Sequence, residues 1–312
     1  MKMRPRTSDA LWMAAGAALL ALVFAAVWHF HQESNPAEQL ASKASRVDRV
    51  ARMQLALSSA SEAEKSAVLA VTDQESLALA DQARAATAQV ESERQELGKL
   101  LATGGTEKER ALLAQFTDAF GNLRHVDAEL LDLAVKNTNV KAYALAFGPT
   151  SDALAAMEGA LARVIAKHAN SPDAKQVMLL AFGARVAVLR IQTLLAPHIA
   201  EESDAKMDEM ERRMGKDETE ARSDLENLAA SPRLKGDPDV NAAVSSFARY
   251  EELKARILAL SRENTNVRSL ALSLNQKRKA MIVCLDALGA LKEAILEEPI
   301  AGVTYGKPPK PR

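Results

Sequence analysis

The residues with the most chemical capacity sit in one phrase that occurs twice. Asn137-Thr138-Asn139-Val140-Lys141 returns as Asn264-Thr265-Asn266-Val267-Arg268, 127 positions later. Amides and a cation beside a helix start could hold a small anion, because free N–H groups and the helix dipole both favour negative charge. The candidate ligand-binding residues are therefore Asn137, Asn139, Lys141, Asn264, Asn266 and Arg268. The same residue types also cap helices and close turns, and that plainer use is the favoured one.

A second cluster could hold a metal. His198 stands three and four positions before Glu201 and Glu202, which puts two ligands on one helix face. Met207, Met210 and Met214 could extend it for a soft metal. These are weak candidates, since methionine at steps of three and four fills cores and carboxylates suit a helix's first turn. No metal or other cofactor is assigned. No Ser-His-Asp order, glycine-rich phosphate loop or paired buried carboxylate stands out, so the chain reads as no enzyme. The single cysteine, Cys284, excludes an internal disulfide and CxxC chemistry. It falls in an apolar stripe and reads as a buried hydrophobe.

These groups must be positioned by helices. The chain is rich in alanine, leucine and charged residues and poor in aromatics, a profile of long helices. Phe116, Ala119, Leu123, Val126, Leu130 and Leu133 alternate steps of three and four, and Val140, Tyr143, Phe147, Leu154, Met157, Leu161 and Val164 keep the same phase with one step of seven. Their counterparts at the 127-residue offset include Tyr250, Leu253, Ile257 and Leu260, then Val267, Leu270, Leu274, Cys284, Leu288 and Leu291. Such stripes pack as bundle seams, and a duplicated helical unit explains why they recur. The spacing predicts helices near 38–72, 74–103, 106–136, 138–168, 173–202, 203–231, 237–263 and 265–297, with Thr106 capping the third. The apolar period runs through Asn137-Thr138-Asn139 unbroken, so 106–168 could be one helix or a hairpin. Asn-Thr-Asn favours the turn.

Two other segments bear on location. Basic residues at 1–9 precede an uncharged apolar run at 10–30, and about 20 such residues cross a bilayer. Basic flanks stay cytoplasmic, so the expectation is a transmembrane helix in the inner membrane with the body in the periplasm; a cleaved signal peptide is the rival. The apolar stretch from Val177 to Leu195 is broken by Arg185 and Arg190, each costing about 3 kcal/mol at a membrane centre, and reads as an amphipathic soluble helix. Residues 298–312, rich in proline and basic side chains, read as disordered. Net charge is −1, which points away from nucleic acid.

The text of the first hairpin, Glu64-Lys65-Ser66-Ala67-Val68-Leu69-Ala70 with Asp73-Gln74-Glu75-Ser76, resembles the periplasmic four-helix sensory module of methyl-accepting chemotaxis receptors. Ala134 to Phe147 is similar to the last hairpin of that family. Leu189-Arg190-Ile191-Gln192 and His198-Ile199-Ala200-Glu201 are similar to first-hairpin text again. The resemblance implies an all-α fold with two tandem antiparallel four-helix bundles, at 38–168 and 173–297, behind the membrane helix. It implies sensing of a small solute. Family members usually add a second span, a HAMP linker and a cytoplasmic signalling hairpin, none of which this sequence displays, so output is expected to pass to a receptor or kinase partner. A structural scaffold or adaptor in the cell envelope is the alternative, and a metal-binding bundle using His198 a weaker one. Oligomeric state is open.

Overall fold

The computed structural model describes residues 36–300. The expected membrane helix at 10–30, the basic segment before it and residues 301–312 of the expected tail lie outside the described residues. Within them the fold is all-α. Ten helices run α1 Pro36–Leu69, α2 Asp73–Gly104, α3 Glu107–Ala134, α4 Thr138–Phe147, α5 Pro149–His168, α6 Ala174–Ala200, α7 Asp204–Ala230, α8 Pro238–Glu263, α9 Thr265–Leu272 and α10 Arg278–Glu297, with a π-helical turn, Ser273–Lys277, between the last two.

The boundaries follow local chemistry. Thr106 and Glu109 form a reciprocal capping box. The Glu109 amide donates to Thr106 Oγ1 at 3.2 Å, and the Thr106 amide to Glu109 Oε2 at 2.9 Å. Asp237 caps α8 by accepting from the Asp239 amide at 2.8 Å. Pro238 follows in the first turn, where its missing N–H costs nothing. Asn137 and Asn264 sit in the left-handed region at φ 52° and 54°. Asparagine tolerates that conformation and β-branched residues do not.

The chain divides into two compact units, and both are discontinuous in sequence. One takes residues 36–56, 89–119 and 283–300 of the described chain; the other takes 57–88 and 120–282. The expected split at 38–168 and 173–297 follows sequence order instead. In the first unit, the chain's end is tied to its beginning. Lys43 Nζ donates to the carbonyls of Leu296 and Glu298 at 2.6 and 2.7 Å, and Arg46 reaches Glu298 at 2.5 Å and Glu109 at 2.6 Å. Glu298, placed by sequence in a disordered tail, is therefore held by two cations.

The larger unit contains two cores. In one, Met157 and Leu161 of α5 meet Val188 and Ile191 of α6, Met214 and Leu225 of α7, and Phe247, Tyr250 and Ile257 of α8. This is a four-helix bundle whose first member is α4–α5. In the other core, Ala67 of α1, Ala80 of α2 and Leu130 of α3 are buried, with Leu272 of α9 packed against them. The helix after each Asn-Thr-Asn turn has thus left the three helices that precede it. α4–α5 joins α6–α8, while α9 joins α1–α3. The turn at Asn137 exists, and the helix after it buries Ala142 and Ala146 in the core of α6–α8.

Among the described residues, α6 is long and apolar enough to cross a membrane, with mean hydropathy 1.6. It is a packed helix here. Val177, Ala184, Val188, Ile191 and Leu195 are buried. Arg185 pairs with Glu158 of α5 at 2.7 Å, and Arg190 with Glu220 of α7 at 3.3 Å.

Candidate functional site

The two copies of the Asn-Thr-Asn phrase meet each other. The first amides of a helix lack intrahelical partners, and here each helix start is satisfied by the other. The Thr138 amide donates to Thr265 Oγ1 at 3.2 Å, and the Thr265 amide to Thr138 Oγ1 at 3.1 Å. The Asn139 amide donates to Asn266 Oδ1 and the Asn266 amide to Asn139 Oδ1, both at 3.1 Å. Asn139 Nδ2 continues to Asn264 Oδ1 at 2.7 Å, and Asn266 Nδ2 to Asn137 Oδ1 at 3.0 Å. The two hydroxyls lie 3.1 Å apart. The result is a locally two-fold junction in which α4 and α9 cap one another. Neither Asn137 nor Asn264 caps its own helix through its side chain.

The junction also binds the α6–α7 connection. Asn139 Nδ2 donates to the Ile199 carbonyl at 2.6 Å, and Asn264 Nδ2 to that of Glu201 at 2.8 Å. Asn137 Nδ2 donates to Asp73 at 3.3 Å, and Lys141 closes an ion pair with the same carboxylate at 2.9 Å. The Lys141 bond, then that of Asn137, holds the Asp73 carboxyl below its ordinary range. Five of the six candidate residues thus spend polar groups inside the protein. Arg268, the counterpart of Lys141, is exposed and makes no side-chain hydrogen bond or ion pair with a described residue.

Beyond the junction the buried stripe is not the apolar one read from sequence. Phe147, Leu270 and Leu274 are exposed, the first by 62 %. The inward positions are Thr138, Ala142, Ala146 and Thr150 in one copy and Thr265, Ser269, Ser273 and Lys277 in the other. α4 and α9 contact each other, and small side chains let two helix backbones approach closely. Tyr143 and Phe147 stack with their ring centres 6.0 Å apart. Each copy then breaks its helix at the equivalent place: Gly148-Pro149 in the first, the π turn in the second. Such π turns accommodate one extra residue and concentrate at functional sites.

The π turn carries a buried charge that sequence reading missed. The Lys277 ammonium contacts the Asp127 carboxylate of α3 and lies 3.4 Å from Glu64 of α1. Lys277 is 2 % exposed and Glu64 fully buried. Burial pushes the Asp127 carboxyl up, against the pull of Lys277. Among the described residues, the Glu64 carboxylate has no hydrogen-bond donor beyond this ion pair. Burying three ionisable groups is costly unless they pair, and here one cation faces two carboxylates.

The weak metal candidates are not assembled. His198 is buried, with Nδ1 2.8 Å from Ser261 Oγ and Nε2 2.9 Å from Glu211. Burial lowers its pKa against the pull of Glu211. Glu201 accepts from the amides of Glu202 and Ser203. Among the described residues, no group of three His, Cys, Asp or Glu side chains could hold a metal ion.

One cleft opens beside the junction. Its volume is about 380 Å³, and it is lined by Glu129 and Leu133 of α3, Glu202 of the α6–α7 connection, Arg268, Ala271 and Leu272 of α9, and Asn275 and Gln276 of the π turn.

Residues 50–179 match the profile of a family described as a four helix bundle sensory module for signal transduction. The match covers α1 from Val50 through the start of α6. No curated protein matches the chain.

Proposed function

We propose that the protein is a membrane-anchored, extracytoplasmic sensory protein of the chemoreceptor kind. It binds a small solute and passes the result to a receptor or kinase partner. The observation that carries this reading is the match of residues 50–179 to a sensory module of signal transduction. The apolar run at 10–30 supports the anchor, and the basic residues before it support a periplasmic body. The second unit of the sequence repeat is read as a further sensory bundle whose last helix is exchanged with that of the first. The junction suits signalling, because a shift of α9 must be felt by α4 through shared hydrogen bonds.

Two measurements test the reading. A reporter enzyme fused after Arg312 is active only outside the cytoplasm; activity inside contradicts the topology. A solute library screened by thermal shift finds a stabilising compound, since a ligand of the native state alone raises its stability. No hit would favour the adaptor reading. That reading has its own support in the exposed Leu179, Phe182 and Val186 of α6, which offer an apolar docking face.

A further inference from the structure

Three groups that can react with one another are enclosed together at the π turn. Lys277 is 2 % exposed, Asp127 6 % and Glu64 0 %. The Lys277 ammonium contacts Asp127 Oδ1 and lies 3.4 Å from Glu64 Oε2. Among the described residues, neither Glu64 oxygen has a hydrogen-bond donor. One turn from Glu64 on α1, Ala60 and Ala67 are buried; one turn from Asp127 on α3, Leu123, Leu130 and Leu131 are buried. The trio therefore sits in an apolar setting.

An ion pair uses these groups poorly. The one cation leaves a second carboxylate without a charge to match, and an unmatched charge is costly away from water. An amine and a carboxyl in contact have another outcome open to them, an amide. In water the amine is protonated and the acid ionised, and they do not condense. Burial in an apolar setting favours the neutral form of each kind of group. The Asp127 carboxyl shows this effect, pushed up by burial against the pull of Lys277. A nitrogen in contact with Oδ1 is one C–O bond from the carbon it would attack. The fold has thus already brought the reactants together, which removes much of the barrier to a bimolecular step.

We propose that the Lys277 amine and the Asp127 carboxyl condense to an isopeptide bond, with Glu64 as the proton carrier. The ammonium first gives a proton to Asp127, leaving a neutral amine beside a neutral acid. The nitrogen lone pair attacks Cγ and the C–N bond forms. Glu64 takes a proton from the nitrogen and returns it to the departing hydroxyl; the Cγ–OH bond breaks and water leaves. Of the ammonium's three protons, one stays on the amide and two go with the water. Glu64 ends as the carboxylate it began as, so no oxidant, reductant or co-reactant is needed. The bond ties the π turn to α3 across 150 positions, a span that contains all of α4 to α8. Such a tie constrains the unfolded chain as a disulfide does, in a protein whose single cysteine cannot form one internally. This inference is independent of the sensory reading.

The test is the mass of the full chain, purified in detergent and kept folded at neutral pH. After denaturation, intact-mass spectrometry is expected to find it one water lighter than the Lys277→Arg chain once the substitution is allowed for. A tryptic digest should yield a branched peptide joining 125–136 to 269–278. Lys277→Arg keeps a cation against both carboxylates but removes the nucleophile, and its digest should contain no branched peptide. Glu64→Gln keeps the side chain's size but cannot carry the proton. General acid–base help contributes about 10²–10⁴-fold, so the linked fraction should grow at least about a hundredfold more slowly in that variant. Circular dichroism should show both variants helical, and the wild-type digest decides the bond whether or not they fold. The wild-type chain held unfolded in urea should stay unlinked. Recovery of 125–136 and 269–277 as separate peptides from the folded wild-type chain, at full mass, overturns the proposal. So does linkage that forms equally well in urea. Linkage at an unchanged rate in Glu64→Gln overturns the role of Glu64.

Discussion

Replacing Asn139 by alanine tests how much the junction contributes to stability. Asn139 is 5 % exposed. Its side chain accepts from the Asn266 amide at 3.1 Å and donates to Asn264 Oδ1 at 2.7 Å and to the Ile199 carbonyl at 2.6 Å. Each such bond contributes about 1 kcal/mol net, and a buried partner left without one costs about 1–3 kcal/mol. Asn139→Ala orphans an amide, a side-chain oxygen and a main-chain carbonyl at once, so the expected loss is about 3 kcal/mol or more. Asn266→Ala removes two bonds, one of them to Asn137 Oδ1. That loss should be about 2 kcal/mol. The two substitutions remove different bonds of one network, so the double variant measures the coupling between them. Urea unfolding followed by far-UV circular dichroism gives all three values. A loss below about 0.5 kcal/mol for Asn139→Ala, typical of an unconstrained surface change, would refute the reciprocal capping.

Other outcomes follow from the buried charges and the cores. Lys277→Met leaves Glu64 and Asp127 buried without their cation. The expected cost is about 3–5 kcal/mol; a neutral effect in urea unfolding would mean the trio is hydrated. Burial, with a hydrogen bond to Glu218, pushes the Glu251 carboxyl up to about 7 from an ordinary 4.5. The folded state then keeps a proton that the unfolded chain has released. This stabilisation is complete below pH 4.5 and lost as pH rises to about 7. Glu218 moves down despite its burial, through bonds to Glu251 and Lys254, and acts below pH 4.5. Melting temperature should therefore fall from about pH 5 to about pH 7, and Glu251→Gln should flatten that slope; an unchanged slope contradicts the assignment. Leu130 and Ile257 are both fully buried. Truncating either to alanine should cost about 2–5 kcal/mol in the same unfolding assay.

Much of the helical framework could be read from the residues. Thr106 marked a helix start, and Asn137 and Asn264 a break, because these signals are local. Leu130, Ile257, Met157 and Cys284 fell inward as their spacing required. The pairing of helices was not legible, because a repeat leaves each fourth helix equally able to complete either set of three. Phe147, Leu270 and Leu274 misled for a related reason. Their period was correct, but the close crossing of α4 and α9 rewards Ala142, Ala146 and Ser269 on the adjacent face. Glu64, Asp127 and Lys277 lie far apart in sequence, and no local pattern marks a buried charge. The candidate residues themselves were legible as a recurring phrase; their reciprocity was not, since one copy's donors are the other copy's acceptors.

The claim that the two copies close on each other is tested most directly by a disulfide. Thr138 and Thr265 place their hydroxyl oxygens 3.1 Å apart. Cysteines there are within reach of a bond of about 2 Å. In a chain with Cys284→Ser, the variant Thr138→Cys with Thr265→Cys should oxidise readily within one molecule and migrate as a compact band until reduced. Failure to cross-link in the folded protein, while both thiols stay slow to label, would contradict the junction; rapid labelling of both would show that it is open to solvent.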